Sequence, residues 1–161
     1  MKFALNRAAR GLALLSLLVG FGAGAQEQIS DNMDILREKI AADKKLIIAE
    51  NLILTESQAA AFWPIYEAYQ KDLASLNQRL GTLIENYATA YNAGNVQEAK
   101  ANELVEEFLA VEQAGLDLQK RYAQRLDGVI PAVERARYLQ MENKIRALLD
   151  FDLAANIPLV D

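Results

Sequence analysis

The chain contains no cysteine and no histidine. The first absence excludes disulfides, so stability has to come from packing or from association with other chains. The two together exclude zinc, copper and nickel sites of the imidazole or thiolate kind, and remove the commonest general base and nucleophile. Carboxylates are the remaining hard ligands. Glu103, Glu106 and Glu107 cluster, and Glu103 and Glu107 share a helical face, but the histidines that accompany glutamates in di-iron bundles are missing, so the group reads as a solvated acidic face. Ser30, Ser57 and Ser75 are the serines beyond the leader, and each has a helix-start or surface explanation. No glycine-rich phosphate loop is present to drive a nucleotide cycle. The expectation is a protein without metal or cofactor that is not an enzyme.

Strand patterning is also absent, and proline is confined to Pro64, Pro131 and Pro158. What is present first is an address. Lys2, Arg7 and Arg10 precede the apolar run from Gly11 to Phe21, and Ala23-Gly24-Ala25 follows, which is the order of a secretory signal peptide with cleavage after Ala25. The apolar run is too short to span a bilayer comfortably, so no stable span is expected after cleavage. The mature domain would be 26–161. Losing three cations from a net charge of −5 leaves 14 bases against 22 acids, or −8. That balance argues against general binding to nucleic acid or to an anionic lipid surface.

The rest is helical periodicity. Ser30, Asp31 and Asp34 suit the start of a first helix over about 31–50. Leu54-Thr55-Glu56-Ser57-Gln58 is a capping box, in which Thr55 accepts from the Gln58 N–H while the Gln58 side chain reaches back to the Thr55 N–H. From it Phe62, Tyr66, Tyr69, Leu73, Leu76, Leu80, Leu83 and Tyr87 recur at steps of four and three, which predicts a second helix ending near Asn92 before Ala93-Gly94-Asn95. Pro64 should bend its first turns and Gly81 should weaken its middle. Asn95 and Glu98 form a second, weaker capping-box pattern. A third helix then follows with a seam of Ala101, Leu104, Phe108, Val111, Gly115, Leu118 and Tyr122, ending near Gly128. Pro131 suits the first position of a fourth helix with a seam of Tyr138, Met141, Ile145 and Leu148. Glu67 with Lys71, Asp117 with Arg121, and Glu142 with Arg146 have the favourable acid-first i,i+4 order. The tail 156–161 breaks from the helix and carries Ile157, Leu159 and Val160, which should fold back onto the domain or a partner.

The second and fourth helices echo each other at an offset of 76 residues. Leu54, Thr55 and Gln58 fall on Ile130, Pro131 and Glu134, Phe62 falls on Tyr138, and Ile65 on Met141. An exported, all-helical chain with a Leu-Thr-x-x-Gln box and a degenerate second copy resembles the Spy/CpxP family of periplasmic proteins. Ile130, Pro131 and Glu134 depart from the motif. The resemblance implies four long helices in a thin, curved, hairpin-like arrangement, paired as an antiparallel, cradle-like homodimer in the periplasm. It also implies either ATP-independent chaperoning of unfolded or partly folded envelope proteins, or an adaptor role on the periplasmic domain of a stress-sensing kinase.

A thin layer of helices cannot cover every apolar seam, and Trp63, Arg121, Arg125, Arg135 and Arg137 are the candidate client contacts. Dipole compensation and ordinary surface charge explain the four arginines without any client. Trp63, with Phe62 and Tyr66 already on the seam, either plugs a kink at Pro64 or lines a binding surface.

Overall fold

Where capping chemistry is complete, the helix begins at the expected residue. The computed structural model describes residues 42–160, and the expected leader and the first part of the first helix lie outside them. Four helical segments occur among the described residues, and the chain is all-α. The segment α1 covers 42–51, α2 Glu56–Asn92, α3 Glu98–Arg125 and α4 Ala132–Asn156. Thr55 is the N-cap of α2, with both arms of the box formed: the Gln58 N–H donates to Thr55 Oγ1 at 3.3 Å, and the Thr55 N–H donates to Gln58 Oε1 at 3.0 Å. The helix then runs 37 residues without a break past Pro64.

The second expected box does not form. Gln97 is the N-cap of α3 and its side chain makes no capping bond. Asn95 is engaged instead in closing α2, where Gly94 takes φ 63° and the Asn95 N–H donates to the Ala90 carbonyl at 2.9 Å. A left-handed glycine followed by this back-reaching amide is a helix C-cap, and it places Asn95 too early to cap the next helix. Pro131 likewise sits one position earlier than expected. It is the N-cap of α4, at φ −56° and ψ 145°, and Ala132 is the first helical residue.

Helix α2 is the central element. It packs antiparallel on α3: Tyr69 meets Tyr122 edge-to-face with ring centroids 5.3 Å apart, and a Cβ on Gly115 would stand 3.4 Å from a Leu76 methyl. It lies parallel to α4, since Tyr66 faces Tyr138, Gln70 bonds Glu142 and Tyr87 bonds Pro158. It is crossed at its start by α1, antiparallel, where Lys45 pairs with Glu67 and Lys44 reaches Gln70. The core sits at this end. Ile48, Phe62, Tyr66, Tyr69, Leu118, Tyr122, Leu126, Ile130 and Tyr138 form one buried cluster, with Leu54, Trp63, Ile65 and Met141 against it. Burying an aromatic of this size contributes on the order of 2–3 kcal/mol relative to exposure.

Two seam assignments change. Phe108 is 48% exposed and Leu148 is 70% exposed, while Val111, Leu118, Tyr122 and Tyr138 are buried as expected. In each helix the adjacent residue is the more buried one: half-buried Glu107, which bonds Arg79 of α2, beside Phe108, and half-buried Leu149 beside Leu148. The local ion pairs are also superseded by contacts between elements. Glu67 accepts from Lys45, Glu142 from Lys44, and Arg121 stands 3.9 Å from Asp72.

Candidate binding surface

The two motif copies meet. Ile130 is buried in the core and Leu54 packs against it, so the α1–α2 and α3–α4 links lie side by side. Glu134 occupies in α4 the third helical position that Gln58 occupies in α2. In a capping box that side chain takes the N–H of the N-cap residue, but Pro131 has none. The Glu134 carboxylate is thereby released, and it accepts from the Ile53 N–H at 2.9 Å across the gap between the links. Arg137 donates to both Glu134 oxygens, at 2.9 and 3.0 Å, and reaches the Asn51 carbonyl at 3.5 Å. Leu54, Thr55, Gln58, Ile130, Pro131 and Glu134 therefore form a structural joint.

A second polar joint ties three helices. The buried Glu142 carboxylate accepts from Lys44 Nζ at 2.7 Å and from Gln70 Nε2 at 2.9 Å, and Lys44 also donates to Gln70 Oε1 at 2.9 Å. The buried Tyr138 hydroxyl lies near Glu142 without forming a hydrogen bond of proper geometry. Burial, and then the Glu142 charge, raise the phenols of Tyr66 and Tyr138 far above their ordinary range and push Tyr69 up to about 12. These groups are neutral in the fold at any ordinary pH.

The candidate contacts are mostly engaged within the chain. Trp63 is half-buried, edge-on to Phe62 at 5.1 Å and to Tyr66 at 5.3 Å, with Lys45 Nζ 5.2 Å from the ring centre. It is a plug between α1 and α2. Arg135 pairs with Asp127 and Arg137 with Glu134. Arg121 lies between Asp72 and the Tyr122 ring, 5.6 Å from its centre. Arg125 stacks on the same ring at 4.7 Å, and no ion pair forms at it among the described residues. Arg121 and Arg125 are thus brought together on one ring, while Arg135 pairs within the α3–α4 link and Arg137 belongs to the joint between the two links.

The largest unassigned feature is apolar. Val105, Leu109 and Leu116 are all exposed on α3, and at 100° per residue they fall within about 40° of one another, with exposed Phe108 on their flank. Leu148 and Phe151 are exposed on α4. The signal was in the sequence as a second row, Val105-Leu109-Leu116, one residue after Leu104 and two residues before Val111 and Leu118. Between α2 and α3 lies an open depression of about 550 Å³ whose lining includes Arg79, Asn86, Glu103, Glu106 and Glu107. Arg79 bridges Glu107 with two bonds of 2.6 and 2.8 Å, which holds the Glu107 carboxyl below its usual range. Glu103 pairs with Lys100, so two of the three clustered carboxylates are engaged by cations. Among the described residues no group of acidic side chains is arranged to hold a metal ion.

No family model matches the chain, and neither does any curated protein or solved structure. No helix among the described residues is long and apolar enough to cross a membrane.

Proposed function

We propose that the mature chain is a periplasmic, ATP-independent chaperone-like protein that holds unfolded or partly folded envelope proteins through the exposed apolar face of α3. The observation that carries this reading is the solvent-facing row Val105, Leu109 and Leu116 with Phe108 beside it. An apolar row of this extent, rimmed by charge, is the usual mark of an interaction surface. Glu106 and Lys120 supply charge at its edge, and exposed Glu112 stands within the row between Leu109 and Leu116. Export follows from the leader pattern at 1–25, and the Leu-Thr-x-x-Gln box and its second copy give the likeness to Spy/CpxP proteins. A homodimer is part of the same proposal.

Light scattering from a chemically denatured client diluted into buffer without ATP tests it. Scattering should fall in proportion to added protein, and Val105→Ser with Leu109→Ser and Leu116→Ser should abolish the effect while the helical circular dichroism is unchanged. Arg121→Ala with Arg125→Ala should weaken it by a smaller factor. Undiminished scattering from a folded wild-type chain rejects the general chaperone, and a single folded partner such as the periplasmic domain of a stress sensor then becomes the object of search.

A further inference from the structure

The tail 157–160 leaves α4 for a physical reason: a residue before proline is pushed out of the helical region, and Ile157 accordingly sits at φ −94° and ψ 117°. The released strand turns onto the last third of α2, where the Tyr87 hydroxyl donates to the Pro158 carbonyl at 2.8 Å. Tyr87 and Tyr91 lie one turn apart with ring centroids 5.8 Å from each other, a tilted aromatic pair at the end of the helix. Ile157 and Pro158 are half-buried. Leu159 is 87% exposed, and Val160 is also exposed. The tail thus meets Tyr87 through a main-chain carbonyl of an extended segment whose Ile157 and Pro158 side chains are half-buried and whose end is exposed.

We propose that this part of α2, centred on Tyr87, is a docking site for extended apolar segments of unfolded polypeptides, and that the tail is its resident, displaceable occupant. The chemistry of the occupant is on view in the tail: an extended backbone offering a carbonyl to a phenol, with apolar side chains flanking a proline. Tethering makes a weak contact persistent, since a short linker gives an effective concentration of roughly millimolar. An intrinsic dissociation constant about one tenth of that leaves the site mostly filled by the tail, and an incoming segment binds about tenfold more weakly than to an empty site. The tail then sets a threshold that only concentrated or multiply apolar chains exceed. The site is separate from the α3 row, so each proposal is open to its own refutation.

The test uses a fluorescein-labelled peptide Ala-Asn-Ile-Pro-Leu-Val-Asp and fluorescence anisotropy. A chain ending at Asn156 should bind it about tenfold more tightly than the full mature chain, and Tyr87→Phe in the shortened chain should lose about fivefold. In the full chain, Ile157→Asp unseats the tail without removing it and should reproduce the gain, which keeps the test decisive if the shortened chain does not fold. A peptide with Ser for its Ile, Leu and Val should not bind. Equal affinity for the full, shortened and Ile157→Asp chains, or no binding to a folded chain whose tail is removed or unseated, overturns the proposal whether or not the α3 row suppresses aggregation.

Discussion

The two ends of the helical assembly are built from similar side chains and have opposite fates. At the end that holds the two links, α1, α2, α3 and α4 surround Phe62, Tyr66, Tyr69, Tyr122 and Tyr138 and bury these rings, while Leu46, Ile47, Ile53 and Val133 stay exposed at its outer edge. At the other end Phe108 and Leu109 of α3 and Leu148 and Phe151 of α4 stand exposed. The difference is one wall. The described part of α1 crosses only the first end, through Ile48, Lys44 and Lys45. Three long helices close a seam between neighbours but leave their outer faces in water, so the fourth element decides where the molecule has a core and where it has a surface.

The strongest way to break this contrast is to remove matched aromatics. Phe62→Ala empties a fully buried site and should cost about 4 kcal/mol, whereas Phe108→Ala should stay within about 0.5 kcal/mol, as exposed substitutions do. Urea unfolding followed by circular dichroism compares them directly, and equal losses would erase the distinction between the ends. Next in size is the buried pair. Lys44→Met leaves Glu142 with Gln70 alone and should cost about 3 kcal/mol, most of it recovered when Glu142→Leu is added. A single variant within 1 kcal/mol of wild type would mean that α1 is not held by this pair.

Alkali should select the same end. The folded phenols have pKa values raised above the ordinary 10.0, to about 12 for Tyr69. Their contribution is complete below pH 10 and is lost as the pH rises through the folded value, because the unfolded chain releases those protons first. Tyrosinate absorbance of Tyr66, Tyr69 and Tyr138 should therefore appear together with loss of helix above pH 11. Separate titration while the helix persists would show that they are open to water. The smallest effect contrasts two helix starts. Thr55→Ala should cost about 1 kcal/mol, and Gln97→Ala should cost nothing measurable, because Gln97 makes no capping bond. A comparable loss at both positions in thermal melts would count against the capping account.

What was legible in the sequence was what five consecutive residues can settle among themselves. The box at Thr55 contains both of its own partners, so the start of α2 needed no tertiary information, and Pro131 marked the start of α4 to within one residue. Asn95 was misread because two local motifs competed for it and the left-handed Gly94 gave it to the preceding helix. Phe108 and Leu148 were misplaced because a four-three seam tolerates either of two adjacent residues, and the choice depends on the angle at which a neighbour approaches. The carboxylates of Glu67 and Glu142 prefer cations from α1 to those one turn away. Only the packed arrangement brings those cations within reach. The cross-link from Glu134 to Ile53 was invisible for the same reason, although the missing N–H of Pro131 was its one local clue.

That cross-link joins residues 81 apart in the chain. It divides the molecule in a way the covalent chain does not. Cut at the turn over 93–97, the protein becomes an α1–α2 piece and an α3–α4 piece, each contributing one side of the Ile53–Glu134 stitch, the Lys44–Glu142 pair and the aromatic cluster. The backbone link at Gly94 is thus the least informative connection in the fold, and two separately made halves carry enough mutual chemistry to find each other.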